Sequence, residues 1–514
     1  MDGLFKLLEQ LKELINYMAN EFGDYQTPQS LANRVVQLLK TKGFDYENVI
    51  EPTFGEGNFV QEVAQQFENV KRIKGIEIQE DLFERTQEKL EKYSNIDFEL
   101  RNEDFFIQKY ENLFDNTKRN LVVGNPPWVT ASQLAQMNSS NVPQKGNIKN
   151  LSGFDALTGK SNFDIAEWIA LRLLEEMSNL TKKSALALLV KNSVIRNIAK
   201  YLPSSNLIIS RISMYHFDAK KEFNVSTDAS LLLIEINDKK WDSKVHEFEL
   251  SEPLKKINIF GWVENHFVSN IDNYQELIKF DKVTTWDWRS GVKHDIGKVM
   301  EFEKISDNLY QNALGEKFCL PDDYVFPLVK SSDISKGTFR KYVLVTQKSV
   351  GEDTSIIQEK SPETWEYLEN HKEYFDKRKS SIYRNAPEFS VFGIGDYSFK
   401  TYKVAVSGMY KIPKFRVLKP VNGKPVMTDD TVYFVGFDKL RDAELFAEVL
   451  NSEESQKLLG AITFSDAKRP YTKEILKRVD VIEQLKARKN PPKEIYDFLE
   501  KYDDNKYEQL KFAL

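Results

Sequence analysis

Four consecutive residues, Asn125-Pro126-Pro127-Trp128, combine hydrogen-bond acceptors with an aromatic ring. The apolar run Leu121-Val122-Val123 before them predicts a buried strand, and the two prolines predict that it ends in a rigid, non-helical turn. The Asn125 side-chain oxygen and the Pro126 carbonyl would then lie side by side. Two acceptors beside a flat ring suit a planar group that carries an –NH2, because the acceptors take its hydrogens and the ring stacks on its face. An ordinary Asn-Pro turn explains the same residues, so other motifs have to decide.

A loop with two glycines lies upstream, in the segment Val49-Ile50-Glu51-Pro52-Thr53-Phe54-Gly55-Glu56-Gly57-Asn58-Phe59. Gly55 and Gly57 allow a backbone to approach a ligand where a Cβ would collide. A dinucleotide fingerprint needs a third glycine, but position 60 is Val60, so an NAD or FAD site is disfavoured. Glu77 ends a second predicted strand about 20 residues on, where a carboxylate can accept from both ribose hydroxyls. A solvated acid at a strand end is the alternative interpretation.

The tetrapeptide and the glycine loop together resemble the N6-adenine DNA methyltransferases of the amino-methyltransferase group. The catalytic tetrapeptide of that family is (Asn/Asp/Ser)-Pro-Pro-(Tyr/Phe/Trp), and the loop looks like its first motif. The resemblance implies S-adenosylmethionine as the cofactor and adenine in double-stranded DNA as the substrate. The implied catalytic residues are Asn125, Pro126, Pro127 and Trp128. The implied cofactor contacts in and after the loop are Glu51, Thr53, Gly55, Gly57, Glu77, Ile78 and Asn125.

Two more segments resemble cofactor-binding motifs of this family. Residues 98–105 would place a carboxylate on the amine of the cofactor's adenine and a phenyl ring on its face. Residues 24–32 resemble the tenth motif, whose Thr-Pro pair is expected to cap a helix over residues 29–39 and to direct its free amides at the methionine carboxylate. The cofactor contacts implied by these two segments are Tyr25, Thr27, Asp104 and Phe105.

Residues 221–228 resemble the eighth motif, whose aromatic residue stacks on the target base after that base has left the helix. Phe223 is the residue implied for this role, opposite Trp128. The motif order is tenth, first, fourth and eighth, followed by a long C-terminal region. This order is similar to that of the gamma class, whose members modify DNA in restriction–modification systems. A cognate restriction endonuclease that acts separately is therefore an implied partner.

Three alternative functions share parts of the pattern. Protein-glutamine methyltransferases have the same turn, but they are small and do not explain the long region after the eighth motif. Cytosine-N4 methyltransferases use the same chemistry, usually with Ser in place of Asn125. A catalytically silent DNA-binding specificity module is the third alternative, and intact Asn125, Gly55 and Glu77 argue against it.

Composition excludes several other classes of protein. Cys319 is the single cysteine among 514 residues, so an intrachain disulfide framework is excluded and a cytoplasmic protein is predicted. Cytosine-C5 chemistry needs a thiolate after a proline, whereas Cys319 follows Phe318. The five histidines show no ligand spacing, so no metal site is predicted. No apolar stretch approaches the roughly 20 residues of a membrane span.

The distribution of charge is more informative than the net charge of −6. Residues 1–320 carry −8 and residues 321–514 carry +2, and residues 372–424 contain twelve Lys or Arg, four acids and ten Phe or Tyr. Basic residues can neutralise phosphates and aromatic rings can stack on bases, so this segment is predicted to bind DNA. A solvated face on a β-rich domain is the alternative. The predicted DNA contacts are Lys377, Arg378, Lys379, Arg384 and Lys411, with Lys414 and Arg416 as the next choice.

Strands and helices alternate up to about residue 237, which predicts an α/β, doubly wound sheet. The resemblance makes it a Rossmann-like S-adenosylmethionine-dependent methyltransferase sheet. The polar stretch Asn237-Asp238-Lys239-Lys240 predicts a boundary between a catalytic domain of residues 1–240 and a target-recognition region of residues 241–514. Short strands mixed with helices predict that this C-terminal region is α+β.

Overall fold

The computed structural model describes residues 25–107, 109–130, 164–236, 240–339 and 341–503. These residues form two compact units, which divide between Ile271 and Asp272. The first unit is built on a large sheet and the second on two smaller ones.

The described part of the first unit contains ten strands in one sheet. They are β1 (Asn48–Glu51), β2 (Arg72–Glu77), β3 (Asp97–Asn102), β4 (Asn120–Gly124), β5 (Ser184–Lys191), β6 (Arg211–His216), β7 (Ala229–Ile236), β8 (Lys244–Glu249), β9 (Glu252–Val263) and β10 (His266–Val268). Their order is β10-β9-β8-β6-β7-β5-β4-β1-β2-β3. Strands β1 to β5 pair in parallel, and β7 inserts antiparallel between β5 and β6.

The sheet order reverses between β1 and β4, which pair directly with each other. Open α/β sheets bind their ligands at the carboxyl ends of the strands beside such a reversal. β1 and β4 are buried along their whole lengths, as expected of apolar parallel strands. The arrangement confirms the predicted Rossmann-like sheet.

Helices connect the strands of the first unit. They are α1 (Gln29–Thr41), α2 (Asn58–Gln66), α3 (Glu80–Leu90), α4 (Ile165–Met177), α5 (Asn192–Tyr201) and α6 (Ala219–Phe223), and α7 (Ile271–Leu277) begins at the division between the units. Leu31, Val35 and Leu39 of α1 recur at helical spacing and are buried in the core with strand residues such as Val49 and Leu121.

The first unit extends beyond the predicted domain boundary at residue 240. β8 pairs in parallel with β6, from Ile212 opposite Val245 to His216 opposite Glu249, and β9 and β10 continue the sheet. The polar stretch therefore lies between two strands of one sheet in the chain, and the division between the units falls after Ile271.

The second unit is mixed α+β, as predicted. Its strands are β11 (Arg289–Ser290), β12 (Glu301–Ser306), β13 (Leu309–Asn312), β14 (Lys317–Cys319), β15 (Val325–Val329), β16 (Lys341–Leu344), β17 (Tyr402–Ser407), β18 (Arg416–Leu418), β19 (Met427–Thr428) and β20 (Val432–Phe437). One sheet has the order β11-β20-β17-β18 and the other β14-β13-β12-β16-β15-β19.

Short helices accompany these sheets. They are α8 (Gly297–Met300), α9 (Ser331–Lys336), α10 (Ile357–Lys360), α11 (Pro362–Asn370), α12 (Lys372–Asp376), α13 (Leu440–Leu450), α14 (Glu453–Ile462), α15 (Lys473–Leu476), α16 (Val481–Lys486) and α17 (Lys493–Tyr502). None of the helices within the described ranges has both the length and the apolar character that crossing a bilayer requires.

Candidate active site

A cleft that is partly open to solvent lies where β1, β2 and β4 end. Of the fourteen residues predicted to contact the cofactor or to form the catalytic turn, eleven line this cleft, whereas Gly57, Pro126 and Trp128 do not. The lining residues that were predicted are Tyr25, Thr27, Glu51, Thr53, Gly55, Glu77, Ile78, Asp104, Phe105, Asn125 and Pro127. The fold thus brings together residues that are more than 100 positions apart in the chain.

Glu77 occupies the position expected from the sequence, at the end of β2. Its carboxylate accepts the Gly55 amide at 2.8 Å and the Gln79 amide at 2.9 Å, one on each oxygen. The side chain is buried, so these two bonds fix its orientation beside the glycine loop. A carboxylate accepts at several positions on its two oxygens, so a group of this kind suits a vicinal diol such as a ribose.

The two glycines of the loop have different roles. Gly55 lines the cleft with φ +52°, and a Cβ there would lie 2.5 Å from Oε1 of Gln26. Gly57 is not among the residues that line the cleft, and its contact with the cofactor stays a prediction. It begins α2 in the left-handed conformation, and a Cβ there would lie 2.4 Å from the Thr86 methyl group. Gly57 is therefore required for the close approach of α3 to the loop.

Glu51 lies at the end of β1 and is 3% exposed. One carboxylate oxygen accepts the Val60 amide at 3.0 Å. Burial raises the pKa of Glu51 well above its ordinary value, the Val60 bond opposes the shift, and the charge of Glu77 adds to it. A cationic ligand group placed here would stabilise the carboxylate form, so this end of the cleft suits an ammonium.

The opposite end of the cleft is aromatic. Phe105 is buried with its ring 5.1 Å from that of Tyr110, and the Tyr110 hydroxyl donates to the Phe105 carbonyl at 2.8 Å. Phe106 also lines the cleft, with its ring edge-on to Trp168 at 5.3 Å. Asp104 lies between these rings and the strand end, and it accepts the Phe106 amide at 2.8 Å. A flat heterocycle with an amino group fits this combination of rings and acceptor.

Thr27 lines the cleft, but it does not cap the following helix. α1 has Pro28 as its N-terminal cap and no side-chain capping bond, so the predicted threonine cap is wrong. Pro28 instead offers its carbonyl to the amides of Leu31 and Ala32 at 2.9 and 3.0 Å. The Thr27 carbonyl accepts from the Asn58 side chain at 2.7 Å, which ties this segment to the start of α2.

The nitrogen and the oxygen of the Asn125 side-chain amide differ in their hydrogen bonding. Its Nδ2 donates to the Tyr25 carbonyl at 2.8 Å, which fixes the rotamer. Its Oδ1 is buried and has no hydrogen-bond partner among the described residues, as is also true of Thr53 Oγ1 in the same cleft. Buried acceptors are normally satisfied, so an unpaired one at a cleft indicates a place for a ligand donor.

The expected slot between Trp128 and Phe223 is not open in this structure. The two rings meet edge-on with centroids 5.1 Å apart, and the Tyr25 ring lies 5.6 Å from Trp128 and 6.2 Å from Phe223. A base between two parallel rings needs two stacking distances of about 3.4 Å, close to 7 Å in all. The rings therefore have to separate before a base can enter.

The two rings are held differently. Trp128 is 5% exposed and its indole Nε1 donates to the Leu189 carbonyl at 3.1 Å, so it is part of the wall. Phe223 is half-buried at the last position of the short helix α6. Its neighbour Glu222 accepts from Arg34 of α1 at 2.6 Å. Phe223 is the ring with more freedom to move.

The predicted DNA contacts lie in the second unit and have unequal surroundings. Lys377 is exposed and pairs with Glu373 at 2.8 Å. Arg378 is half-buried: its guanidinium stacks 3.7 Å from the Tyr383 ring and donates to the Ser390 carbonyl at 2.6 Å. It ties α12 to the segment around Ser390, and we therefore do not count it among the proposed phosphate contacts.

The remaining predicted contacts are exposed: Lys379, Arg384 and Lys411. Lys414 is exposed as well, whereas Arg416 donates to the Ile334 carbonyl at 2.6 Å and so closes the end of α9. Charge pattern alone does not separate an arginine used inside the protein from one that faces solvent.

Several cleft residues were not predicted: Gln26, Asn58, Phe106 and Ile169. Gln26 Oε1 accepts the Glu56 amide at 2.9 Å, so the segment before α1 holds the glycine loop directly. The sequence could have indicated Gln26, because it lies between Tyr25 and Thr27, which were both predicted cofactor contacts. Phe106 carried a similar signal, as the second of two consecutive phenylalanines. Among the described residues, no group of three or more His, Cys, Asp or Glu could hold a metal ion.

The chain is similar to known proteins in sequence and in fold. The chain is 37% identical over 466 residues to the type II methyltransferase M.NspV of Nostoc sp., covering 90% of this chain and 96% of that protein. Its fold is similar to that of the type IIL restriction–modification enzyme MmeI in complex with DNA, with a TM-score of 0.53, 14% identity and coverage of 93% of this chain and 67% of that chain. No protein-family model matches the chain.

Proposed function

Because the chain belongs to the type II methyltransferases of restriction–modification systems, whose cofactor is S-adenosylmethionine, we propose that it methylates the N6 amine of adenine in duplex DNA. The cleft at the ends of β1, β2 and β4 holds the cofactor, and Asn125-Pro126-Pro127-Trp128 receives the target base. The second unit recognises the DNA site. Different residues support each of these three parts of the proposal.

The residues of the cleft fit the cofactor from end to end. Glu77 is oriented to accept from the ribose hydroxyls, since its two oxygens are fixed by the amides of Gly55 and Gln79. Asp104 and Phe105 suit the adenine amine and ring, and the buried carboxyl of Glu51 suits the amino group of the methionine part. When bound, S-adenosylmethionine supplies an electrophilic methyl group. The chain's own task is to align an amine with it.

Asn125 Oδ1 is the observation that carries the proposal. It is a buried acceptor without a partner among the described residues, and the bond from Nδ2 to the Tyr25 carbonyl prevents the amide from turning away. An amine hydrogen that donates to this oxygen leaves lone-pair density on nitrogen available for attack. The Pro126 carbonyl accepts a hydrogen bond from the second amine hydrogen. No strong base is needed before transfer, because the acceptors are placed for the positive charge that develops on nitrogen.

The target adenine has to leave the duplex, since its amine is not accessible within the stack. Unstacking costs a few kcal/mol, which stacking of the base on Trp128 and Phe223 offsets. Trp128 is fixed by its bond to Leu189, so entry of the base requires Phe223 to move from its present edge-on contact. The Arg34–Glu222 ion pair anchors the helix that carries Phe223, so we expect the Phe223 side chain to move while the helix stays in place.

Exposed cations of the second unit make the contacts with DNA phosphates. Lys379, Arg384 and Lys411 meet this requirement, and Lys377 meets it if DNA replaces Glu373 as its partner. Such contacts fix the register of the protein on DNA without reading its sequence. The target-recognition region predicted as residues 241–514 then begins, as a separate unit, at Asp272.

The proposal is tested by sequencing DNA from cells that express the protein, with modified bases identified directly. We expect N6-methyladenine at one short sequence, absent when Asn125 is replaced by Ala. The control is Asn179→Ala, which changes an exposed asparagine next to α4 and should leave the modification intact. N4-methylcytosine, or unmodified DNA from cells that contain the folded protein, would overturn the proposal.

A further inference from the structure

The loop between β17 and β18, residues 408–414, presents apolar side chains to solvent; we call it the apolar tip. Met409 is 40% exposed, Tyr410 39% and Ile412 70%. Exposed apolar residues are ordinary when they are scattered, but three within four positions at the end of a hairpin form a patch. A patch of this kind indicates a surface that another molecule covers.

The apolar tip is built to be rigid. Gly408 donates to the Thr431 carbonyl at 3.0 Å, and the Met409 amide donates to the Ser407 hydroxyl at 3.2 Å. In the middle, the buried hydroxyl of Tyr471 donates to the Lys411 carbonyl at 2.9 Å. On the far side, Phe415 exchanges two bonds with the Asn451 side chain, at 3.1 and 2.8 Å.

Because these bonds hold the backbone of the apolar tip, its exposed side chains cannot turn inward. Pro413 and Phe415 are buried, and a Cβ at Gly408 would lie 2.7 Å from the Tyr433 ring, so the base of the loop is packed. The chain therefore fixes the backbone of the tip while leaving Met409 and Ile412 in water. Rigid presentation lowers the entropy lost when such side chains are buried against a partner.

Exposed cations lie within the apolar tip and in the segment that braces it. Lys411 and Lys414 belong to the loop itself, and Lys468 and Arg469 lie in the segment that ends at Tyr471, the residue that braces the tip. All four side chains are exposed, although Arg469 also approaches Asp430 at 3.4 Å. Ile412 follows one exposed cation, Lys411, and lies two positions before another, Lys414. Apolar and cationic side chains in this combination suit a nucleic-acid duplex, which has phosphates at its rim and stacked bases between them.

We propose that the apolar tip is a wedge that inserts into the DNA duplex and kinks it, with Ile412 and Met409 entering between base pairs and Lys411 and Lys414 contacting phosphates. This inference rests on the proposed function only in taking duplex DNA as the substrate. Proteins that kink DNA insert Ile, Met, Leu, Phe or Pro in this way and partly unstack one base step. A kink of this kind weakens stacking and so favours the extrusion of a base.

The test measures binding and bending of a short duplex that contains the modified site and carries one fluorophore at each end. The full-length protein is used without S-adenosylmethionine, so that methyl transfer does not contribute. Wild-type protein should shorten the distance between the fluorophores, because a kink of tens of degrees brings the ends together. Ile412→Ser and Met409→Ser should abolish the shortening and weaken binding at least about tenfold, as expected when a buried apolar side chain is lost.

Two control variants separate the wedge from simpler explanations. Ile305→Ser replaces a side chain that is 45% exposed on β12, and it should leave binding and bending unchanged. Lys411→Ala should keep the kink but lower the slope of log K against log salt by about 0.9, as expected for one phosphate contact. Circular dichroism of each variant confirms that it is folded.

Three results would overturn the wedge. One is wild-type binding without any shortening, and another is an Ile412→Ser variant that binds and bends DNA like the wild type. The third is an effect of Ile412→Ser on self-association alone, seen by sedimentation, which would make the tip a contact between two copies of the chain. The wedge and the adenine chemistry can be refuted independently. A methylated cytosine would leave the bending result intact, and tip variants that bind and bend DNA like the wild type would leave the methylation result intact.

Discussion

Lys403 of β17 is a buried cation without an acidic partner among the described residues, and its replacement gives a quantitative prediction. The side chain is 1% exposed, and its Nζ donates to the Lys400 carbonyl at 3.0 Å. The amine also lies 5.7 Å from the centre of the Phe434 ring. Burial lowers the pKa of Lys403 from its ordinary value near 10.5 to about 7.

The sign of the effect follows from where the proton is bound. Between about pH 7 and 10.5 the unfolded chain carries the Lys403 proton and the folded chain does not, so the free energy of unfolding rises with pH. Each pH unit contributes about 1.4 kcal/mol, and the whole interval about 5 kcal/mol. Below pH 7 both states are protonated and the full destabilisation remains. Above pH 10.5 neither state is protonated and the destabilisation is absent.

Lys403→Met removes the ammonium and keeps most of the volume. It also removes the bond to the Lys400 carbonyl, which is worth about 1 kcal/mol. We therefore expect the variant to stabilise the second unit by about 2–4 kcal/mol at pH 7. The gain should shrink by about 2–3 kcal/mol when the pH is raised from 7 to 9, because the wild type becomes more stable over that interval.

The assay is urea unfolding of the full-length protein at pH 7 and pH 9, followed by pulsed hydrogen exchange and mass spectrometry. Peptides that cover β17 and β20 report the second unit separately from the first. The comparison of variant with wild type at each pH cancels the groups that titrate in both proteins. A difference that is the same at pH 7 and pH 9 would show that Lys403 is charged in the folded protein and would refute the reasoning.

Three further predictions concern the cofactor, the catalytic turn and the DNA surface. Glu77→Ala should weaken S-adenosylmethionine binding by about 1.5–3 kcal/mol in calorimetry and leave cofactor-free DNA binding unchanged; an unaltered cofactor affinity would limit Glu77 to ordering backbone amides. Asn125→Ala should lower the methylation rate by about 100-fold or more at nearly constant cofactor affinity, and a parallel loss of affinity would mean that it acts through its bond to Tyr25. Lys379→Ala and Arg384→Ala should each reduce the salt slope of binding by about 0.9 on cognate and random duplexes alike, and two unchanged slopes would remove this surface from the DNA interface.

The sequence predicted the strand ends that form the cleft because their signals are local. An apolar run followed by prolines identified the end of β4, and Glu77 followed a second apolar run at the end of β2. Parallel strands then bring such ends to one edge of the sheet, which is a property of the fold class and not of the individual residues. The Rossmann-like sheet and the cluster of acceptors were predictable for this reason.

Other features depend on contacts that the sequence does not encode locally. Gly57 looked like a place for a ligand, but the neighbour that requires its lack of a side chain is Thr86 of α3. Phe223 was predicted to face Trp128 across a gap, whereas the two rings touch. Arg378 has the same charge as Lys379, yet its guanidinium is engaged by Tyr383 and Ser390. Each difference arises from a packing partner that is distant in the chain.

The continuation of the first sheet through β8, β9 and β10 determines where this protein can be recombined with a relative. A chimaera joined at the polar stretch near residue 240 would take β8 from a different parent than β6, or leave β6 with an open edge. Unpaired strand edges are sites of aggregation, so such hybrids should be insoluble for reasons unrelated to DNA recognition. A junction after Ile271 keeps all ten strands from one parent. If the second unit recognises the DNA site, as proposed, its transplantation should therefore start from that junction.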